Sequence, residues 1–274
     1  MFSTRTNDTI DVIHNAGFFS CCSIKLNEII EYYNKEHVLP KVVSSKQQFA
    51  WYKPGNMASS DITFTYFDEK IHNDTTVIEY ITDIKYFHDD QFSDYSTIDY
   101  KNINPFIIRY FSPSQKIIQL CTYITTKYKF DPDNTCVLFY RGNDKNRETL
   151  ICDYEEYIDK ANEILKNNPS VQFLIQTDET EFLNKVKEAF PDNSFYFKDE
   201  IRHISKCNST VDIIMKNKNF IFSQFYMAIT ILMSKCKYIV CGTGNCSIWI
   251  LFYRGNCNNV YQNFQNDWLV HNLL

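Results

Sequence analysis

The sequence predicts an α/β fold of two Rossmann-like domains with a cleft between them, and three observations carry that prediction. From residue 136 onward, short apolar runs alternate with segments of helical period about 10 to 15 residues long, which is the signature of a parallel sheet covered on both faces. The chain also opens with an apolar run, a glycine-bearing turn and a helical pattern, the start of a βαβ unit. Between these regions, Asp131, Pro132, Asp133 and Asn134 break the periodicity and mark a boundary. We therefore expect an N-terminal domain over 1–128 and a C-terminal domain over 129–274.

In chain order, residues 10–14 read as a strand, the stretch around Gly17 as a turn, and 22–33 as a helix. After Pro40, residues 41–44 form a second strand, and 62–67 and 76–81 read as two more. The acidic, aromatic stretch 83–104 has no clear period and reads as a loop with a short helix. Pro113 and Ser114 introduce a helix over 116–127, where Ile117, Leu120, Cys121 and Ile124 recur at helical spacing. Beyond the boundary follow strand 136–140, helix 154–166, strand 171–176, helix 179–190 and strand 194–197. Helix 220–234, strand 238–241 and a helical stretch over 248–253 complete the pattern. Two such halves facing a cleft make a GT-B-like arrangement, which other two-domain Rossmann proteins share.

Composition narrows the functions. With 274 residues and 44% hydrophobic content, the chain can bury a large core. A net charge of −5 argues against a general nucleic-acid binder, which would carry a basic face. The ten cysteines show no Cys-x-x-Cys pair and no histidine at zinc-ligand spacing, so they read as free thiols in a reducing compartment, and a cytoplasmic location is expected. The polar N-terminus offers no signal or anchor segment, and the apolar stretch 220–233 falls short of the ~20 residues a membrane span needs. Neither the histidines nor Asp131 and Asp133, which lie in the expected linker, make a metal site, so we expect neither metal nor cofactor.

Three constellations carry chemistry. The strand 136–140 delivers Arg141, Asp144 and Lys145 together, with Gly142 allowing close backbone approach and Glu148 adding a carboxylate near the same turn. A guanidinium fork and an ammonium at a strand end suit a pyrophosphate, and can stabilise its departure without a metal. Second, the strand 238–241 runs into Gly242, Thr243, Gly244, Asn245 and Ser247 before a helix, an arrangement whose backbone N–H groups suit an anion. Third, the strand 171–176 ends in Thr177 and Asp178, where Asp178 either caps the next helix or supports the nucleotide pocket. In the N-terminal half, His14 ends the first strand and is a candidate base, with Asp61, Glu79 and Asp83 as weaker ones.

These elements, in this order, resemble the superfamily that joins α1,2-, α1,6- and protein O-fucosyltransferases. That family carries His-x-Arg-x-x-Asp after a strand, followed by Lys in the α1,6 group, and the run from Phe139 through Arg141 and Asp144 to Lys145 matches it except at the first position. Thr177 and Asp178 match the family's Thr-Asp strand end, and the run from Leu232 to Cys241, leading to residues 242–247, matches its last element. The stretch from Phe111 to Ser114 resembles its lead-in helix start, so the resemblance spans about residues 110–255. It implies that Arg141 binds the donor pyrophosphate, Asp144 orders the loop and Lys145 assists near the reacting centre. Glu148 lies four residues after the motif Asp, where the α1,6 branch has its catalytic Glu five after. Ile229 stands where the family often has an Asp that reads guanine.

The expected function is an inverting glycosyltransferase that moves a sugar from a nucleotide diphosphate donor, GDP-fucose first, to a glycan hydroxyl. The alternative is a non-catalytic nucleotide-sugar or glycan-binding module derived from such an enzyme. Nicotinamide-dependent chemistry ranks last, because its fingerprint glycines are missing.

Overall fold

The computed structural model describes residues 2–6, 8–72 and 83–271. Strand β1 (Ser3–Thr6) is antiparallel to β2 (Thr9–Val12), and β2 is parallel to β3 (Val42–Ser44), giving a three-stranded sheet in that order. Parallel pairing of β2 and β3 needs a crossover, which α1 (Phe18–Glu36) supplies. The helix stops where His37 turns left-handed (φ 55°) and its N–H donates to the Tyr33 carbonyl. Most of α1 is buried, because it also packs against the C-terminal half, where Phe19 stacks on Trp249 at 5.7 Å.

Residues 62–67, expected as a strand, are instead the short helix α2 (Thr63–Tyr66), followed by α3 (Glu69–His72). The reason is local: Asp61 accepts the Thr63 N–H at 2.8 Å, and the buried residues Ile62, Thr63, Tyr66 and Phe67 follow a helical rather than a two-residue period. The strand expected at 76–81 lies outside the described residues. Within 83–104, expected as loop with a short helix, two 3-10 turns (His88–Phe92 and Tyr95–Thr97) precede a longer helix than expected, α4 (Tyr100–Phe111). Asp99 caps α4, and Ile103, Phe106, Ile107, Tyr110 and Phe111 form its buried stripe despite Pro105. Helix α5 (Gln115–Tyr128) follows and ends at Lys129, again left-handed.

The second sheet follows the predicted alternation. Its members are β4 (Thr135–Tyr140), β5 (Gln172–Thr177), β6 (Ser194–Phe195), β7 (Tyr238–Gly242), β8 (Val260–Phe264) and β9 (Asp267–His271). The intervening helices are α6 (Tyr154–Asn167), α7 (Thr180–Ala189), α8 (Val211–Ile214), α9 (Asn219–Ser234) and α10 (Asn245–Arg254). Strand order is β6-β5-β4-β7-β8-β9, parallel except for the terminal β8–β9 hairpin. The chain builds outward from β4 to β6, then returns through α9 to place β7 on the other side of β4. That reversal is a topological switch point, and ligands bind beyond the carboxyl ends of the two strands flanking it. Every residue of β4 is buried, as a central parallel strand requires.

Candidate functional site

A cavity of about 570 Å³ opens at this switch point, within the range of small-molecule sites. Residues after β4, β5 and β7 form one wall, and Phe18, Phe19, Gln91 and Phe92 from the N-terminal half form the other. Of the sequence-predicted residues, the cavity brings together Arg141, Asp144, Lys145, Glu148, Asp178, Thr243, Gly244, Asn245 and Ser247. It does not include His14, whose Nε2 lies 2.9 Å from Ser20 Oγ; Ser20 does line the cavity. Burial, and then the neighbouring His88, lower the His14 pKa. Gly242 borders a separate small void instead, because β7 holds it one residue below the cavity rim. Asp61 sits apart, accepting the Ser45 and Thr63 amides, and Asp83 lies outside the cavity with a left-handed backbone (φ 64°). Glu79 lies outside the described residues.

Arg141 is a held guanidinium rather than a loose surface one. Its Nε donates to Asp178 Oδ2 at 3.0 Å, its Nη1 approaches Cys246 Sγ at 3.4 Å, and its Nη2 lies 3.6 Å from Asp144. Burial works against its charge, and Asp178 leads the neighbours that more than offset this, leaving its pKa raised. Asp178 also accepts the Gly142 N–H at 3.0 Å, so one carboxylate fixes both the side chain and the backbone of the loop. This satisfies Asp178 without the helix-capping role, since α7 has no side-chain cap.

A residue that sequence reasoning missed clamps the same loop. Glu179, fully buried, accepts the Asn143 N–H and the Tyr154 hydroxyl. Gly142 is required by this approach, because a Cβ there would stand 2.1 Å from the Glu179 carboxyl carbon. Lys145 pairs with Glu148 and lies 5.0 Å over the Phe92 ring. Opposite it, Gly244 has φ +141°, and a Cβ there would come 2.8 Å from Lys145 Cε, so a side chain would push the lysine out of the cavity.

The turn before α10 is only partly free for an anion. A helix leaves its first four N–H groups without internal partners. Gln91 takes two of them: its carbonyl accepts Gly244 N–H at 2.9 Å and its Oε1 accepts Asn245 N–H at 3.0 Å. The amides of Cys246 and Ser247 come next, and both residues line the cavity. Asn245 is itself committed, its Oδ1 accepting Ser23 Oγ–H at 2.6 Å, and Thr243 bonds Thr149 at 3.2 Å.

Arg202, also missed, forms a second cationic wall. It donates to Asp212 at 2.5 Å and Asn219 at 2.7 Å, and lies 5.2 Å over the Phe222 ring. Asp212 in turn accepts the Tyr52 hydroxyl at 2.7 Å. Among the described residues, no group of three or more His, Cys, Asp or Glu could hold a metal ion, and no helix is long and apolar enough to cross a membrane. All ten cysteines are free.

Fold and cavity together define a GT-B-like α/β protein with a cationic cleft at its switch point. No family model matches the sequence, and comparison with characterised protein sequences returns no match. Among solved structures, the fucosyltransferase NodZ from Bradyrhizobium shares the fold over 98% of this chain and 100% of its own, with a TM-score of 0.54 and 8% identity. NodZ α-1,6-fucosyltransferase soaked with GDP-fucose aligns over 63% of the chain (TM-score 0.41, 10% identity). A mutant of Arabidopsis thaliana FUT1 in complex with GDP aligns over 61% (TM-score 0.39, 9% identity). The chain spans 54% and 36% of the lengths of these last two. In fold, then, the protein resembles the fucosyltransferases, as its motifs suggested.

Proposed function

We propose that the protein is a fucosyltransferase-like glycosyltransferase, which moves a sugar from a nucleotide diphosphate donor to a glycan hydroxyl with inversion and without a metal. GDP-fucose is the first donor to test. In this reading, residues 129–274 hold the donor, residues 1–128 face the acceptor, and the ten free thiols suit a cytoplasmic enzyme. The observation that carries it is Arg141, fixed by Asp178 at the switch point and sharing one cavity with Cys246 and Ser247 at the start of α10.

The mechanism follows from the charges. The leaving diphosphate gains negative charge as the glycosidic bond breaks, and fixed donors there stabilise it without reorganisation. Arg141 and the two amides are such donors. Lys145 is engaged with Glu148, whose side chain is 48% exposed. A bound diphosphate takes over Lys145 and releases Glu148, whose carboxylate then accepts the proton of the attacking hydroxyl. His14 lies outside the cavity and meets its wall at Ser20, so its contribution is to orient the Ser20 hydroxyl.

A second reading, a binding module without turnover, is favoured by Phe139 and Ile229, apolar cavity residues at positions where the family has polar ones. Calorimetric titration of GDP and GDP-fucose into wild type and Arg141→Ala, with a donor-hydrolysis and transfer assay, separates the two. The variant is expected to lose about tenfold or more in donor affinity, since a charge-assisted bond contributes about 1.5–3 kcal/mol. Unchanged affinity overturns the donor-site assignment, whereas binding with no turnover on any acceptor selects the module.

A further inference from the structure

Gln176 carries a buried polar atom that nothing among the described residues satisfies. It is the next-to-last residue of β5, is 5% exposed, and lines the main cavity. Its Oε1 is buried and meets no hydrogen-bond partner among the described residues. A buried amide oxygen without a partner is costly, and folded proteins rarely keep one without a use. Phe139, its register partner on β4, and Ile229 also line the cavity and offer no side-chain hydrogen bond.

Position gives the use. Asp178, which holds Arg141, lies two residues further along the same strand direction, so the two Cα atoms are about 7 Å apart. Arg141 and Gln176 line the same cavity, so a nucleotide whose phosphates sit on Arg141 can extend its ribose and base along β5 towards Gln176. We propose that Gln176 reads the base edge of the nucleotide donor, an inference that rests on the donor-site reading above. A glutamine amide presents one acceptor and one donor side by side. It therefore pairs with a ring N–H and an adjacent carbonyl, as guanine and hypoxanthine offer at N1 and O6 and uracil at N3 and O4. A carboxylate would instead favour two adjacent donors, the N1–H and 2-amino group of guanine. Gln176 makes the 2-amino group dispensable, so the site accepts a lactam edge rather than guanine alone.

The test is calorimetric titration of pyrophosphate, GDP, IDP and UDP into wild type, Gln176→Leu and Gln176→Glu. Wild type is expected to bind GDP and IDP within about threefold of each other, a difference well under 1.4 kcal/mol. Gln176→Leu should lose about tenfold for the nucleotides, two hydrogen bonds' worth, while pyrophosphate affinity stays unchanged and shows that the protein is folded. The ligand-free Gln176→Leu protein should also melt higher than wild type, because the orphaned amide is gone. Gln176→Glu should favour GDP over IDP by about tenfold. Nucleotide affinities within about twofold of wild type in Gln176→Leu, or an unchanged GDP-to-IDP ratio in Gln176→Glu, overturn the proposal. If Arg141→Ala still lowers nucleotide affinity about tenfold or more in that case, the donor site itself stands; if wild type binds no nucleotide, both fall.

Discussion

Asp178 should be the residue on which the cationic wall depends. Asp178→Ala removes the acceptor of two hydrogen bonds, from Arg141 Nε and Gly142 N–H, both 3.0 Å long, at a side chain only 5% exposed. Stripping one partner from a buried pair costs about 3–5 kcal/mol, but Arg141 keeps 26% of its side-chain exposure, and water will screen part of the loss. We expect about 2–3 kcal/mol, which in a chain of this length lowers Tm by roughly 5–10 °C. Asp178→Asn keeps an acceptor for Gly142 and loses only the charge, so it should fall about halfway. Donor affinity should drop about tenfold in both, because the guanidinium loses the contact that aims it. Calorimetric melting and GDP titration measure the two effects. If Asp178→Ala melts within about 1 °C of wild type and binds GDP equally well, the idea that this carboxylate organises the loop is wrong.

Two further changes probe the interior. In Gly142→Ala the new methyl meets a Glu179 carboxylate that the Asn143 amide and Tyr154 hydroxyl hold in place, so the loop must move; overpacking of this kind costs about 1–3 kcal/mol, and urea unfolding should show the upper end. Lys25 is fully buried on α1 with Thr63 Oγ1 at 3.3 Å, and burial lowers its pKa from 10.5 to about 8. The unfolded chain therefore binds the proton more tightly, and the penalty is fully present below pH 8 and fades as pH rises from about 8 towards 10.5. Lys25→Met should stabilise the protein near neutral pH, by up to about 3 kcal/mol, and clearly less at pH 10, as paired urea melts would reveal. An equal gain at both pH values would mean that the ammonium carries no desolvation cost.

The C-terminal half was legible because its signals are local. A short, fully apolar run that stops at Arg141, set among segments of helical period, reads as a buried parallel strand whose end faces a cleft, and Asp178 falls at the corresponding end of β5. The N-terminal half was less so. Alternating β-branched and aromatic residues at 62–67 imitate a strand, while the decisive contact, the Asp61 carboxylate on the Thr63 amide, leaves no periodic trace. Gln91 and Arg202 sit in stretches without periodicity, and their roles arise from partners such as Asn245 and Asp212 that only the folded chain brings near. The β8–β9 hairpin turns on Gln265 and Asn266, both with positive φ, a two-residue turn between paired strands that lacks the glycine by which sequence marks such turns most clearly.

The interface between the halves limits what the cleft can bind. Gln91 spends both its carbonyl and its side chain on α10, Gln262 accepts Tyr95 N–H at 2.9 Å and donates to the Ser93 carbonyl at 2.7 Å, and Ser23 joins Asn245 to Trp249. The segment 91–95 is thus stitched to the C-terminal half immediately beside the site. Opening the cleft there would strand several buried polar groups, each costing about 1–3 kcal/mol, so a ligand must enter without breaking this seam. What remains available is the Arg141 fork beyond its Asp178 bond, Lys145 once Glu148 leaves it, and the Cys246 and Ser247 amides. Two cations and two backbone amides match the demand of the proposed diphosphate, and in that reading the Glu148 carboxylate is displaced by the very ligand whose reaction needs a base.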